Sequence, residues 1–158
     1  METTIKSQIK YNQKNKFMKR SSKAVWKGSG KGGSGYLTSQ SLALNKVPYT
    51  WNSRFENKSG TNPEELIAAA HAGCFTMKLS FLIGEAGFTP DIIETTAEIL
   101  LEQNAISQSH LIVKAKIPGI SKQKFEECAT NAKDNCPVSK LLNATITMET
   151  ALTEEVAV

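Results

Sequence analysis

The chain has 158 residues, of which 40% are hydrophobic and 22% charged, as in an ordinary soluble globular domain. No apolar run approaches the roughly 20 residues that cross a bilayer, and the first residues lack the apolar segment of a secretory signal. Three cysteines are too few, and odd in number, for a secreted disulfide framework. We therefore expect a cytoplasmic protein that does not interact with membranes.

The formal charge of +4 is unevenly distributed along the chain. Residues 1–20 hold six basic side chains and one acidic one, which more than accounts for the whole excess. We predict a flexible basic tail over residues 1–22 and a single domain over residues 23–158. Because the domain itself is nearly neutral, we expect no nucleic-acid groove. The tail could be a solvated arm, an organellar presequence or a weak contact with an anionic surface.

The first part of the domain has the pattern of short strands followed by one long helix. The segment KAVWKG and residues 36–40 and 49–55 predict strands, with the glycine-rich turn GSGKGGSG after the first. This turn lacks the GxxxxGK[ST] spacing of a phosphate loop. Asn62 is placed to cap a helix that starts at Pro63. Residues 66–83 are apolar nearly all round, which predicts a helix buried on most sides.

The second part predicts two strands, a helical region and a last strand. Residues 93–101 and 111–117 alternate apolar and polar side chains, with glutamates outward on one and lysines outward on the other. Ser121 is expected to cap a helix that breaks at Asn135, and a short helix follows from Pro137. Residues 144–152 form the last strand. This order of elements favours an α+β fold with antiparallel sheet.

Cys74 and Cys136 are the strongest functional signal in the chain. Cys74 lies within the apolar helix, whereas Cys136 directly precedes Pro137, at a helix start whose free N–H groups favour a thiolate. Cys74 has no such help from its own helix and needs a cation from elsewhere. Arg54 is the one arginine outside the tail, and Glu64 or Glu65 could hold it in place. Together these residues indicate thiol redox chemistry.

Other interpretations use the same residues. His71 lies three residues before Cys74, which permits a cysteine hydrolase, although this offset rarely gives direct proton transfer. A non-catalytic redox sensor or a module that binds a hydrophobic ligand would oxidise once without turning over. Cys128 lies on an apolar helical stripe and is expected to be a small core residue. The chain has neither CxxC nor HExxH, so a metal site is disfavoured.

Several segments together resemble the OsmC family of osmotically inducible hydroperoxide reductases. They are KAVWKG, NSRFE, TNPEELIAAAHAGC, EAGFTP and CPVSKLLNATI, and they occur in the order that the family leads us to expect. The similarity runs from about Lys23 to Leu152 and is closer to OsmC proper than to the organic hydroperoxide resistance branch. Gly73, where we expect alanine, the extra Cys128 and the long tail depart from the family pattern.

The resemblance implies a role for each candidate site residue. Cys74 would be the peroxidatic thiol and Cys136 the resolving thiol, while Arg54 and Glu64, the acid directly after the proline, would orient and ionise Cys74. The family reduces organic hydroperoxides without metal, haem or flavin, and an external dithiol, such as a lipoylated protein, regenerates it. The resemblance also implies an OsmC-like intertwined homodimer in which antiparallel sheets wrap around central buried helices and the two active sites are shared.

The spacing of the site residues also bears on the number of subunits. Glu64 and Cys74 are ten residues apart, which corresponds to about 15 Å along a straight helix. Either the helix bends, or Arg54 bridges the gap, or a second subunit contributes to the site.

Overall fold

The computed structural model describes residues 18–154, so most of the predicted tail (residues 1–22) lies outside the described residues. Strands β1 (Ser22–Lys27), β2 (Ser34–Ser39) and β3 (Val47–Thr50) precede helices α1 (Trp51–Phe55) and α2 (Pro63–Glu85). Strands β4 (Ile92–Glu102) and β5 (Ala105–Lys116), helices α3 (Lys122–Asn135) and α4 (Pro137–Leu141), and strand β6 (Thr145–Leu152) follow. The described residues therefore form an α+β fold, as predicted.

The first sheet contains strands β1, β2 and β3 in that order, and both pairs are antiparallel. The glycine-rich segment forms the turn between β1 and β2, as predicted. A Cβ atom on Gly33 would lie 2.4 Å from the carbonyl oxygens of Lys27 and Ser29, so only glycine fits there. The Trp26 indole N–H donates to the Ser29 carbonyl at 3.2 Å, which closes the turn over the strand.

Residues 51–55 form helix α1, whereas the sequence predicted a strand there. The Thr50 hydroxyl accepts from the Ser53 N–H at 3.0 Å, and the Ser53 hydroxyl accepts from the Thr50 N–H at 2.9 Å. This reciprocal capping box starts a helical turn directly after β3 and overrides the β-propensity of Trp51 and Phe55. As a result, Arg54 projects from a helical turn and not from a strand.

The second sheet is mixed, which corrects the expectation of purely antiparallel pairing. Strands β4 and β5 are antiparallel, and Glu94 lies opposite Lys114 in the predicted pairing of outward charges. Strand β6 instead runs parallel to β5. The chain leaves β5, passes through α3 and α4, and returns to the same edge of the sheet, a crossover that produces a parallel neighbour.

The core lies between the second sheet and helices α2 and α3. Alternate residues of β5 face inward, as predicted, and pack against one stripe of each helix. The fully buried apolar residues include Leu111, Val113 and Ala115 of β5, Phe75, Leu79 and Ile83 of α2, and Phe125, Ala129 and Ala132 of α3. The cysteine-bearing middle of α2 is therefore held against a rigid support.

Helix α2 has the predicted start and a different pattern of burial. The Asn62 side chain accepts from the Glu65 N–H at 2.9 Å, and Pro63 occupies the first helical position. Its buried residues form one stripe, and the opposite face is exposed in the single chain, so the helix is not buried on most sides. Met77 and Phe81 on that face are each 65% exposed.

Helix α2 also corrects the expectation about apolar length. It has 23 residues, and its most apolar window has a mean hydropathy of 1.6, which is enough by length and composition to cross a bilayer. The expectation considered only unbroken apolar runs, which His71 and Lys78 interrupt. The same composition occurs in core helices, and α2 here packs on β4, α3 and α4.

Candidate active site

Helices α2 and α4 bring the two predicted redox thiols together. Cys74 is half-buried on α2, and the fully buried Cys136 is the N-cap residue of α4. Both thiols are free, Cys74 packs against the core cluster that contains Cys136, and the neighbouring Cys136 thiol raises the pKa of Cys74. A disulfide would join the two sulfurs at a bond length of about 2.05 Å. The arrangement can form an intramolecular disulfide.

The N-terminus of α4 serves Cys74 and not Cys136. The sequence suggested that the free N–H groups of this helix would favour the Cys136 thiolate. Instead, the Cys136 side chain makes no capping hydrogen bond, and the Val138 N–H lies close enough to Cys74 to lower the pKa of its thiol. One short helix therefore provides both the second thiol and a hydrogen-bond donor for the first.

The surroundings of Cys74 within one chain do not favour its thiolate. Burial is the largest influence and raises the pKa of the thiol; the Val138 N–H lowers it, and the Cys136 thiol raises it further. Among the influences on this pKa that arise from residues 18–154, none comes from a lysine or an arginine. The thiolate is the reactive form of a cysteine, and the described residues of one chain provide no cation that would favour it at Cys74.

Arg54 and Glu64 form an ion pair at the start of α2. The Arg54 Nη2 atom lies 2.6 Å from Glu64 Oε1, and Nε lies within 3.2 Å of both carboxylate oxygens. Partial burial opposes ionisation of Glu64, but the hydrogen bond and charge of Arg54 lower its pKa overall. Glu65 is occupied differently, since its carboxylate accepts from Thr61 at 2.8 Å. The structure thus pairs Arg54 with Glu64.

The ion pair and the thiol pair lie at different places in one chain. Helix α2 is continuous from Pro63 to Glu85, so about 15 Å of helix separates Glu64 from Cys74. Glu64 holds Arg54 at the far end of this helix, so Arg54 does not bridge the gap to Cys74 within one chain. The structure brings together two pairs of predicted residues but not all four.

A buried histidine lies beside the cysteines, with partners that the sequence analysis missed. His71 Nδ1 lies 2.7 Å from the Ser109 hydroxyl, and Nε2 lies 2.8 Å from the Ser139 hydroxyl. Burial lowers the pKa of the imidazole. Both ring nitrogens are engaged by serines, so neither is directed at Cys74, and the hydrolase dyad is not formed. The signal in the sequence was spacing: Ser139 follows Cys136 by three residues, as His71 precedes Cys74.

The third cysteine is a core residue, as its position on an apolar stripe predicted. Cys128 is buried, and its thiol lies 3.9 Å from the Leu82 carbonyl oxygen. Burial raises the pKa of this thiol, which keeps it protonated. In the part of the chain that the structure describes, no group of three or more His, Cys, Asp or Glu residues is placed to hold a metal ion.

Comparison with known proteins identifies the family. The family model for OsmC-like protein matches residues 56–151, which include both thiols, Glu64 and the second sheet except its last residue, Leu152. This chain belongs to the OsmC family. Over 130 residues, it is 47% identical to Peroxiredoxin OsmC of Escherichia coli (strain K12), covering 80% of this chain and 91% of that protein.

More distant relatives of this OsmC-family chain come from the organic hydroperoxide resistance branch. It is 28% identical over 126 residues to Organic hydroperoxide resistance protein OhrB of Bacillus subtilis (strain 168), covering 77% of this chain and 90% of that protein. The crystal structure of OhrB of Bacillus subtilis matches with a TM-score of 0.62 at 25% identity, over 83% of this chain and 98% of that one. The higher identity to OsmC agrees with the motif-level resemblance.

A solved structure at low identity supports the fold alone. The crystal structure of an OsmC like protein from Mycoplasma pneumoniae matches with a TM-score of 0.70 at 14% identity, over 87% of this chain and 99% of that one. The predicted OsmC-like α+β architecture is therefore confirmed for the single chain.

Proposed function

We propose that this OsmC-family protein is a thiol-dependent peroxidase that reduces organic hydroperoxides to alcohols. The observation that carries the proposal is the proximity of the Cys74 and Cys136 thiols, one half-buried and one fully buried, where α2 packs on α4. Two relatives support it through their names, Peroxiredoxin OsmC and Organic hydroperoxide resistance protein OhrB. Two neighbouring free thiols can donate two electrons to a peroxide by forming a disulfide, and this requires no further cofactor.

The first step is attack of the Cys74 thiolate on one oxygen of the hydroperoxide. The S–O bond forms as the O–O bond breaks, and the leaving alkoxide takes a proton and departs as the alcohol. Cys74 is left as the sulfenic acid, oxidised by two electrons while the peroxide is reduced by two. The Val138 N–H, which points at this sulfur, stabilises negative charge on it before attack.

The second step joins the two sulfurs. The Cys136 thiol attacks the sulfur of the Cys74 sulfenic acid, the S–S bond forms, and the hydroxyl leaves as water. An external dithiol, such as that of a lipoylated protein, then reduces the disulfide by two successive exchanges and restores both thiols. Such regeneration suits the reducing cytoplasm, in which we place the protein.

A second subunit supplies the cation that Cys74 lacks within its own chain. Burial and Cys136 raise the pKa of Cys74, and Arg54 is held by Glu64 about 15 Å away along the same helix. The α2 helices of two copies lying face to face would bring the ion pair of one subunit toward the thiol of the other. We therefore propose a homodimer with shared active sites.

The exposed face of α2 supports this arrangement. Its residues recur at helical spacing and are small or apolar: Ala70, Gly73, Met77, Phe81 and Gly84. A Cβ atom added to Gly73 or Gly84 would meet nothing within 4 Å in the single chain. Small residues allow a second helix to approach closely, while Met77 and Phe81 provide apolar area that water disfavours. We call this set of residues the α2 outer stripe.

Peroxide consumption by cysteine variants tests the function. We expect the wild-type protein to consume cumene hydroperoxide through many turnovers with dihydrolipoamide in stopped-flow measurements. Cys74→Ser should consume none above background, and Cys136→Ser should consume about one equivalent rapidly and then stall, with a slow second equivalent converting the Cys74 sulfenic acid to sulfinic acid. Cys128→Ser is the matched control and should turn over normally. Full peroxide consumption by Cys74→Ser would rule the mechanism out.

The same measurement separates the peroxidase from a redox sensor. A sensor would form one disulfide per chain and then stop, even with excess dithiol present. Continuous consumption that scales with the dithiol concentration requires the enzyme.

A further inference from the structure

Helices α2 and α4 meet through two successive pairs of side chains. Cys74 contacts Cys136 in one pair, and His71 contacts Ser139 at 2.8 Å in the other. His71 lies three residues before Cys74 on α2, and Ser139 lies three residues after Cys136 on α4. Residues three apart share one face of a helix, so the two contacts are neighbours along the line where the segments meet. The cysteine pair can undergo redox chemistry, whereas the His71–Ser139 pair is a hydrogen bond.

Helix α4 is lightly attached. It has five residues, none of which is fully buried, and Leu141 is 78% exposed. A helix this short has little stability of its own. Val138 packs against the core, and among residues 18–154 the side chains of α4 make hydrogen bonds through Ser139 to His71 and through Lys140 to the exposed side chain of Asn135. Of these two hydrogen bonds, the one with His71 reaches the protein interior.

His71 is itself firmly anchored. It is fully buried, and its other ring nitrogen bonds Ser109 on β5, the central strand of the second sheet. Burial keeps the imidazole neutral, with one donor and one acceptor nitrogen, and a serine hydroxyl can match either role. The chain of contacts therefore runs from the sheet through His71 to Ser139 and the helix that carries Cys136.

We propose that the His71–Ser139 contact positions Cys136 for the disulfide step of the proposed peroxidase, on which this inference rests. The contact holds α4 against α2, so the Cys136 thiol meets the Cys74 sulfenic acid before a second peroxide converts it to sulfinic acid. His71 and Ser139 are positioning residues, since their bonded atoms engage each other and not the reacting sulfurs. Their loss lowers the effective concentration of one thiol at the other.

Rapid-quench mass spectrometry of Ser139→Ala tests this role. With one equivalent of cumene hydroperoxide, we expect Cys74 sulfenic acid to form at a rate within about twofold of wild type. Disulfide formation should be about tenfold slower, and the sulfinic fraction at high peroxide should rise accordingly. Ser139→Thr, which keeps the hydroxyl, should restore the disulfide rate. A loss of stability alone would leave the ratio of the two rates unchanged.

Thr76→Val provides the matched control. The Thr76 hydroxyl bonds Thr95 at 2.7 Å, so this variant removes a hydrogen bond between α2 and β4 without touching α4. It should leave the disulfide step unchanged. If Ser139→Ala forms the disulfide as fast as wild type and Thr76→Val, the positioning role is wrong.

A peroxide-free measurement keeps this result distinct from the fate of the peroxidase. In buffers of reduced and oxidised glutathione, the thiol pair forms its disulfide while oxidised glutathione is reduced to two thiols. The effective concentration of the pair, measured by peptide mapping, should fall about tenfold in Ser139→Ala alone. If wild type consumed no hydroperoxide, the proposed function would fail, while the glutathione series would still decide whether Ser139 positions Cys136.

Discussion

At the scale of single residues, the charge around one sulfur controls reactivity. Within its own chain, Cys74 receives one N–H donor from Val138, whereas burial and the neighbouring thiol oppose its ionisation. The guanidinium of Arg54 is 38% exposed and fixed in direction by its two contacts with Glu64. A second sulfur approaching that guanidinium would meet a cation whose orientation is already set. The ion pair thus holds a partly exposed guanidinium in a fixed orientation on each chain.

Replacing Arg54 should therefore shift the pH dependence of the reaction. In Arg54→Ala, we expect the pKa of Cys74 to rise, so fewer molecules carry the thiolate at neutral pH. Peroxide consumption at pH 7 should fall at least tenfold and recover partly as the pH is raised. The rate of Cys74 alkylation by iodoacetamide against pH measures the shift directly.

Lys58→Ala is the control for a general loss of positive charge near α1. Lys58 lies 3.8 Å from Glu56 in an exposed pair and has no contact with Glu64. Its removal should leave the alkylation profile in place. Equal profiles for wild type and Arg54→Ala would show that the cation acting on Cys74 is not Arg54.

The residues of the site were largely accessible to sequence reasoning, and their distances were not. The chemistry of cysteine, arginine and glutamate follows from the residue type alone. Cys74, Cys136 and Arg54 could therefore be selected from the sequence without knowledge of the fold. The choice between Glu64 and Glu65 required the structure or the family resemblance. Only the structure shows that the Glu65 carboxylate already accepts a hydrogen bond from Thr61. His71 and Ser139 are 68 residues apart; each lies three residues from one of the two cysteines, but that spacing does not show that the two side chains meet.

At the scale of elements, α2 combines two tasks on opposite faces. Its buried stripe, which includes Phe75, Leu79 and Ile83, joins the helix to β5 and α3. The cysteine sits next to this stripe, so its backbone is held by the core while the neighbouring α4 remains lightly attached. The reactive pair thus joins one rigid element to one that can move through the small distance that a disulfide requires.

Truncating one side chain of the buried stripe should lower the free energy of unfolding by a measurable amount. Leu79 is fully buried, so Leu79→Ala leaves a cavity and should lower the free energy of unfolding by about 2–5 kcal/mol. Urea denaturation followed by circular dichroism gives this value. Leu141→Ala, on the exposed side of α4, should change it by no more than about 0.5 kcal/mol. Similar values for both variants would contradict the assignment of the core.

Sequence reasoning made a wrong prediction for two elements. The type of one depends on side chain–backbone hydrogen bonds, and the direction of the other depends on the path of the preceding helices. The long apolar pattern and Asn62 cap gave α2 its correct start, because both signals are local. Residues 51–55 look like a strand by composition, but the Thr50–Ser53 capping box makes them helical. The direction of β6 depends on where α3 and α4 return the chain, which no property of residues 144–152 contains.

At the scale of the whole molecule, the single chain is incomplete in two related ways. Its central helix exposes an apolar stripe, and among residues 18–154 no lysine or arginine lowers the pKa of Cys74, while Arg54 lies at the other end of the same helix. One association can correct both defects, since the α2 outer stripe lies on the helix that connects the ion pair to the thiol. This coincidence is why we prefer a symmetric homodimer to an unrelated partner.

A larger side chain on the α2 outer stripe should prevent the two subunits from associating. In Gly73→Leu, the new side chain meets open space in one chain and would favour the helix, but it would obstruct a second α2. Sedimentation equilibrium should show a dimer for wild type and a folded monomer with little peroxidase activity for the variant. Thr130→Leu, on the exposed face of α3, should remain dimeric. A monomeric wild type would contradict the proposal that two subunits share each active site.

The complete burial of Cys136 determines which sulfur an incoming reductant meets. In the proposed cycle, Cys74 is the more accessible end of the disulfide, so we expect a dithiol to attack there and expel Cys136 as the leaving thiolate. The mixed disulfide then forms on Cys74, the same sulfur that attacks the peroxide. Oxidant and reductant therefore compete for one sulfur atom, and each must leave before the other can react.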